Sequence, residues 1–372
     1  MDKNWKQMTP SDYAWERDAL AFVKELLPDH DPYRAWANFE FIAQDGSINE
    51  VDLLLLTSKG MYLVEIKSHP GVISGDAANW EWEKPNGGKA VFDNPRLLAR
   101  RKAQKLASLL RVQPSFKRSK ETVPFIDALV FLSAENLIIR LDDNARLGVV
   151  NREELIPAVT EIDEYWTHSP ISAYAAKVVS RSVEEAGIKE SVRMRMVGNY
   201  ELMKLLDESD HFQEWLVVNR ELGVERKVRI YLTYGKHEDE VRRLEKAAKL
   251  EFRMLEGIEH PNIMRAKEFQ HHDNGPALIY EYDSTAHRLD HLLITLGKNG
   301  RLATASAVQL LRQIVETVKY AHGQKLYHRA LSPQSIWVKP MADDNFAIKI
   351  SNWATGQLQS AFTKMKSSIL VR

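Results

Sequence analysis

Cysteine is absent from all 372 residues, so disulfides and thiolate metal sites are excluded, and any catalytic metal must be held by oxygen or histidine. Long apolar runs are absent too. Nothing approaches the ~18 consecutive apolar residues of a membrane span, and the opening MDKNWKQMTPSDYAWERD lacks the apolar core of a signal peptide. The expectation is a cytoplasmic protein that engages no membrane. Excess charge of either sign is also missing. The 51 Lys and Arg balance 51 Asp and Glu, so no global basic field draws in nucleic acid. What is present, 44% hydrophobic and 27% charged residues, is the composition of a globular chain. Its length exceeds one typical core, which predicts two or three domains.

The organising stretch is residues 49–67, NEVDLLLLTSKGMYLVEIK, where three ionisable residues interrupt two apolar strands. Residues 51–56 and 61–66 are of strand length, and Ser58-Lys59-Gly60 between them is turn chemistry, so the pair predicts a β-hairpin. Folding about Ser58 and Lys59 puts Asp52 opposite Glu65, with Lys67 on the face of Glu65 because side chains alternate with period two. Adjacent half-buried carboxylates repel unless a cation compensates them. A divalent metal would do so: Asp52 and Glu65 hold Mg²⁺ or Mn²⁺, the Ile66 carbonyl completes the set, and Lys67 orients an attacking water or stabilises developing negative charge. The competing reading is a structural salt bridge between Lys67 and one of the acids; Glu225-Arg226-Lys227 has the same Glu-x-Lys spacing without such a hairpin.

These residues resemble the core of PD-(D/E)xK nucleases, and more closely the nuclease-related domain (NERD) family. Asp52 matches the first motif acid and Glu65-Ile66-Lys67 the ExK. The wider text, PYRAWANFEFIAQDGSINEVDLLLLTSKGMYLVEIKSHPG with DNPRLLARRKAQKL downstream, is similar to the amino-terminal part of kinase-like proteins of BREX-type phage-defence systems. In the nuclease fold a carboxylate from the first helix reaches the metal, and Glu16 is the match. That resemblance makes Glu16 a third metal ligand; the alternative is a solvated helix face.

Around the hairpin, residues 12–27 read as a helix with Trp15, Leu20, Phe22, Val23, Leu26 and Leu27 as its apolar stripe and Thr9 or Ser11 as cap. Residues 36–43 read as the first strand. His69 lies in a loop at the mouth of the site, where a solvated role competes with a catalytic one. Pro85-Asn86-Gly87-Gly88 predicts a second hairpin whose Trp80 and Trp82 share a face, for core packing or base stacking. From residue 95 a helix uses Leu97, Leu98, Leu106, Leu109 and Leu110 as its apolar side and leaves Arg96, Arg100, Lys102 and Lys105 outside. Residues 94–120 carry nine Lys or Arg and no acid, so this face is a candidate for DNA phosphates, against a merely solvated basic face. Residues 125–133 complete a helix, three-strand, helix, strand order. Residues 151–165 and 169–186, the latter capped by Ser169, read as helices of a connector.

From Asn199 the chain resembles a protein kinase by order of motifs. Residues 249–256 look like the αC helix with Glu251 as its glutamate, 278–282 like the hinge, 307–322 like the long helix of the second lobe, and 327–336 like the catalytic loop. The chemical positions depart from that family. Residues 206–212, in place of the phosphate-covering loop, have no glycine and three acids that would repel phosphates. Tyr231 stands where the ATP-contacting lysine belongs, Ala330 for the catalytic aspartate, Ser335 for the metal-binding asparagine, and Asn352-Trp353-Ala354 for Asp-Phe-Gly. Asparagine cannot hold Mg²⁺ as a carboxylate does, and Ala330 can neither orient nor deprotonate a hydroxyl. ATP binding has little support at these positions. The chain stops at Arg372, soon after the Asp-Phe-Gly position, which suggests a piece of a longer protein or a lobe completed elsewhere.

The predicted fold class is α/β and α+β multidomain: a PD-(D/E)xK-like nuclease core of mixed sheet flanked by helices over 1–135, a helical connector over 136–198, and a degenerate, partial protein-kinase-like fold over 199–372. The predicted function is metal-dependent hydrolysis of DNA phosphodiesters in bacterial phage defence, with other defence proteins as partners and a regulatory or scaffold kinase-like half. The alternatives are a non-cleaving DNA- or partner-binding module, and a fragment of a larger serine/threonine kinase.

Overall fold

The computed structural model describes residues 4–9, 11, 13–162, 170–188, 196–233, 236–295, 302–341 and 345–353. It forms two compact units, Met1–Ser191 and Val192–Arg372.

In the first unit, strand β1 (Trp5–Gln7) and helix α1 (Ala14–Leu26) precede an antiparallel meander of β2 (Arg34–Ile42), β3 (Ile48–Leu56) and β4 (Met61–Lys67). A second meander follows, β5 (Gly71–Gly75), β6 (Asn79–Glu83) and β7 (Lys89–Asp93), then helices α2 (Pro95–Arg111) and α3 (Pro114–Arg118). The unit continues through β8 (Ile126–Leu132), β9 (Leu137–Leu141), the short α4 (Asp143–Arg146), β10 (Val149–Val150), α5 (Arg152–Thr160) and α6 (Ala173–Glu185). The main sheet runs β1-β2-β3-β4-β8-β10, and a smaller sheet runs β7-β6-β5-β9. Strand β8 lies parallel to β4, so the path between them is a crossover that includes α2.

Both faces of the main sheet are covered, which is why β3 and β4 read as near-continuous apolar runs. Leu54, Leu56, Met61 and Leu63 pack with α2 and α6, through Ala103, Leu106, Leu110 and Val179. Leu53, Leu55, Val64 and Ile66 pack on the opposite face with Leu20 and Val23 of α1 and Leu155 and Val159 of α5. By period-two alternation, Asp52 and Glu65 share the α2 face with Leu54 and Leu63.

Three expectations need correction. The stripe of α2 is Ala99, Lys102, Ala103, Leu106 and Leu110, a spacing of 3, 4, 7 and 11 from Ala99, while Leu97 is 46% exposed. Small alanines let the helix approach the sheet, and a lysine whose head is neutralised can bury its stem there. In α1, Trp15 and Leu26 are exposed and the buried positions are Ala19, Leu20 and Val23; the N-cap is Tyr13, without a side-chain cap bond. The third correction is to the connector: residues 136–162 and 170–188 complete the first unit. β9 extends the small sheet beside β5 and β10 extends the main sheet beside β8. Thr57 Oγ1 donates to the Val159 carbonyl at 2.6 Å, and Ser182 Oγ to that of Leu110 at 3.1 Å. Asn151 caps α5 in a capping box with Glu154, and Ser172 caps α6. The expected cap Ser169 lies outside the described residues.

The second unit opens with a six-stranded antiparallel sheet containing β11 (Met196–Val197), β12 (Tyr200–Glu208), β13 (Phe212–Asn219) and β14 (Val224–Tyr231). Helix α7 (Glu238–Glu256) and strands β15 (Ala266–His272) and β16 (Gly275–Glu281) complete it, in the order β11-β12-β13-β14-β16-β15. Then come β17 (His287–Arg288), α8 (Leu289–Thr295), α9 (Thr304–Gly323), a 3₁₀ turn at Pro333–Ser335, β18 (Ile336–Pro340) and β19 (Phe346–Ile350). β17, β18 and β19 form a small sheet that packs with α8 and α9 around Leu292, Leu310, Val338, Ile350 and Trp353. Among the described residues no helix is long and apolar enough to cross a membrane.

Candidate functional site

The hairpin pairs as its text requires, with Leu53 opposite Val64 and Leu56 opposite Met61. One step beyond the Leu53–Val64 pair, the Asp52 carboxylate accepts the Ile66 N–H at 2.7 Å. Glu65 accepts from two ammonium groups, Lys67 Nζ at 2.8 Å on Oε1 and Lys102 Nζ at 3.0 Å on Oε2. Asp52, Glu65 and Lys67 therefore do converge, and Lys102, reaching across from α2, joins them. Glu50 lies two residues before Asp52 on the same face and interacts electrostatically with Lys102, Glu65 and Glu16. Glu16, in the first turn of α1, accepts a 2.6 Å bond from Ser11 Oγ and acts on Lys67 through its charge.

The charges here are out of balance. Burial, reinforced by repulsion from Glu65, raises the Asp52 carboxyl above its usual range, and burial raises Glu50 as well. For Glu65, burial also opposes ionisation, but Lys102 and Lys67 outweigh it and draw the group down. Both lysines rise above the ordinary ammonium range despite burial, because Glu65 and Asp52 favour their charged forms. Among the described residues no three His, Asp or Glu are already gathered around a metal position. The donors nevertheless fit a hard divalent cation in kind: carboxylate oxygens, one of them on an Asp52 whose negative charge burial leaves undercompensated.

The expected DNA-facing cations divide. Arg100 is exposed. Arg96 is turned to β8, its Nε donating to the Ala128 carbonyl at 3.1 Å with Asp127 3.7 Å away. Gly148 makes room for it, since a Cβ there would meet Arg96 Nε at 2.3 Å. Lys105 donates to Ser47 Oγ at 2.9 Å and lies 3.5 Å from Asp45. Lys102, expected outside, is 5% exposed and belongs to the acidic cluster. His69 stacks on Trp82 with ring centroids 4.3 Å apart, and Trp80 is fully buried in the core between the two sheets.

In the second unit, the positions assigned by the kinase resemblance bond to one another. Glu251 of α7 receives Arg229 Nη1 at 3.2 Å, the Tyr280 hydroxyl at 2.7 Å and the Tyr231 hydroxyl. Arg229 also donates Nε and Nη2 to Glu214 at 2.9 and 2.6 Å, and Nη2 to Asn352. Lys227 donates to both Glu214 oxygens at 3.0 and 3.1 Å. Arg229 is 1% exposed and stacks over Phe212, while Lys227 lies over the rings of Tyr280 and Trp337. Burial opposes the charge on Glu214, yet Lys227 and Arg229 bring its carboxyl down to about 2. Ser335 is spent on local bonds to the Ser332 backbone. Arg329, just before Ala330, has φ +61°, and Asn352 has φ +65°.

Sequence reasoning missed Glu50, Glu214, Lys227 and Arg229 as members of these clusters. The available signal was parity: Glu50 shares a face with Asp52, and Lys227, Arg229 and Tyr231 share one on β14.

Comparison with known proteins agrees with both halves. Residues 11–133 match the nuclease-related domain family, and residues 229–369 match the protein kinase domain family. The chain thus combines a nuclease-related domain with a protein-kinase-like domain. It is similar to probable kinase PglW of Streptomyces coelicolor, with 32% identity over 366 residues, 95% of this chain and 23% of that protein. The kinase-like half is similar to CBL-interacting protein kinase 1 of Oryza sativa subsp. japonica, 24% identical over 45% of this chain and 34% of that one. A crystal structure of Rad53 1-466 in complex with AMP-PNP matches 48% of this chain and 42% of that chain at 17% identity and a TM-score of 0.35. The chain spans less than a quarter of PglW and about a third of the rice kinase.

Proposed function

We propose that the first unit is a metal-dependent nuclease acting on DNA phosphodiesters, and that the second is a kinase-like scaffold without phosphoryl transfer. The observation that carries the first half is the convergence of Asp52, Glu65 and Lys67 at the open end of one hairpin. Asp52 and Glu65, with Glu16 as the third carboxylate, would hold Mg²⁺ or Mn²⁺, which when bound supplies the charge that polarises the phosphate and acidifies water. Lys67, fixed by Glu65, presents an ammonium group to position the attacking water and to stabilise charge growing on the phosphate oxygens. Exposed cations of α2 and α3, Arg100 among them, supply sequence-independent phosphate contacts. The resemblance to kinase-like proteins of BREX systems supports a cytoplasmic role in phage defence beside other defence proteins.

For the second unit, the supporting observation is Arg229. Its guanidinium binds Glu251, the residue that an active kinase pairs with its ATP-contacting lysine, and also Asn352 at the position of the metal-binding aspartate. ATP and its metal would have to displace a buried, charge-balanced network of Glu214, Glu251, Lys227 and Arg229.

The test is nicking of supercoiled plasmid with Mg²⁺ or Mn²⁺ by wild type, Asp52→Ala and Lys67→Ala. Cleavage by wild type and by neither variant supports the nuclease. A second reading, a DNA-binding module that does not cut, is favoured by the two ammonium groups already seated on Glu65. Intact plasmid despite retained DNA binding would select it.

A further inference from the structure

We propose that Lys102 is the resident counterion of the acidic cluster and competes with divalent metal for Glu65, so that metal entry frees its ammonium group from the cluster. The proposal rests on the reading of Asp52 and Glu65 as metal-holding residues and adds what controls their loading.

Lys102 lies on the buried stripe of α2 between Ala99 and Leu106, a place where a lysine is unfavourable unless its charge is matched. Its match is Glu65 Oε2, 3.0 Å away, with the Lys102 side chain only 6% exposed. The other oxygen of the same carboxylate is taken by Lys67, whose side chain is 27% exposed and sits at the strand end. The two lysines thus differ in role. Lys67 borders the accessible side of the cluster, whereas Lys102 plugs it from the helix layer. A cation approaching Glu65 must either accept a positive charge beside it or replace that charge.

Replacement is electrostatically reasonable. Four carboxylates, Glu16, Glu50, Asp52 and Glu65, interact in this cluster with two ammonium groups. Asp52 and Glu65 together would hold a divalent ion, whereas the ammonium groups hydrogen-bond only Glu65 and act on Asp52 through space. The displaced Lys102 keeps its buried stem, and its head moves toward the margin of the cluster, where a phosphate anion would meet it. Lys102 is then a positioning residue that couples metal loading to phosphate binding.

Mn²⁺ binding by calorimetry on the full chain tests this without reference to cleavage. Lys102→Met, which keeps volume and stem but removes the charge, is expected to bind Mn²⁺ about tenfold or more tightly than wild type, while Lys102→Arg gains nothing. Equal or weaker binding by Lys102→Met would overturn the proposal. A readout on unaltered protein covers the case in which the variant misfolds: acylation of lysines followed by mass spectrometry should show Lys102 protected in metal-free protein and labelled once Mg²⁺ or Mn²⁺ is added. Protection that does not change in metal-loaded protein also overturns it. Tighter binding by Lys102→Met with an uncut plasmid would retire the nuclease reading and leave this one standing. No Mn²⁺ binding by either protein would sink both.

Discussion

Arg229, not residue 231, forms the ion pair with Glu251, at 3.2 Å, and the hydroxyl of Tyr231 donates to the same carboxylate from one alternation further along β14. The cation on the glutamate of α7 is thus Arg229, two residues before the position that the kinase resemblance assigned to the lysine, and it also reaches Glu214 and Asn352. A guanidinium spreads five donors over a planar fork, so its separate nitrogens reach Glu214, Glu251 and Asn352 at once, where a lysine would have to serve all three from a single nitrogen.

Arg229→Met is expected to destabilise the second unit by about 3–5 kcal/mol, because Glu214 and Glu251 would lose a shared buried partner. Denaturant unfolding followed by Trp fluorescence checks this. A loss below about 1 kcal/mol would mean that Lys227 and the tyrosines suffice.

Acid should act through the same cluster. The Glu214 carboxyl is held near 2 against a usual 4.5. A depressed carboxyl contributes stability that is fully present above the unfolded value and is lost as pH falls through the folded one. Wild type should therefore lose melting temperature steeply between pH 4.5 and pH 2. In Glu214→Gln that slope should be shallower and the starting stability lower. Identical slopes would show that Glu214 does not carry the dependence.

Asp52 has the opposite sign. Its carboxyl is raised, so the folded state favours the proton and ionisation costs stability as pH rises. Asp52→Asn keeps an oxygen for the Ile66 N–H. The variant should melt at or above the wild-type temperature at pH 8, lose that advantage near pH 5, and abolish plasmid nicking. A variant less stable at both pH values would refute the charge argument.

DNA contact should follow exposure rather than the count of basic residues. Arg100→Ala with Lys117→Ala should weaken binding to a duplex and reduce its salt dependence by about one to two released ions, since both residues are exposed. Lys105→Ala, which removes a side chain held by Ser47 and Asp45, should leave that slope unchanged. Equal effects from the two variants would remove α2 and α3 as a distinct DNA-facing surface.

Much of this protein was legible in its text. Alternation and turn chemistry alone located the hairpin at residues 51–66, its register and the meeting of Asp52 with Glu65, because period two and a short turn leave little freedom. The kinase-like character of the second half was equally local, carried by the order of its motifs. The face of α2 was legible only in part: Leu106 and Leu110 do face the core, but whether Leu97 or Ala99, Lys102 and Ala103 continue that face depended on how closely the helix approaches the sheet. That choice buried Lys102 and left Leu97 in solvent. The same holds for the predicted connector over 136–198, where β9 and β10 found sheet edges to join. Sequence by itself determined which residues could pair within a strand and its neighbour. Only tertiary structure decided which distant charge met which: Lys102 with Glu65 across 37 positions and Arg229 with Asn352 across 123. Such pairs depend on burial, which makes an unmatched charge costly, and burial is settled only when the layers pack.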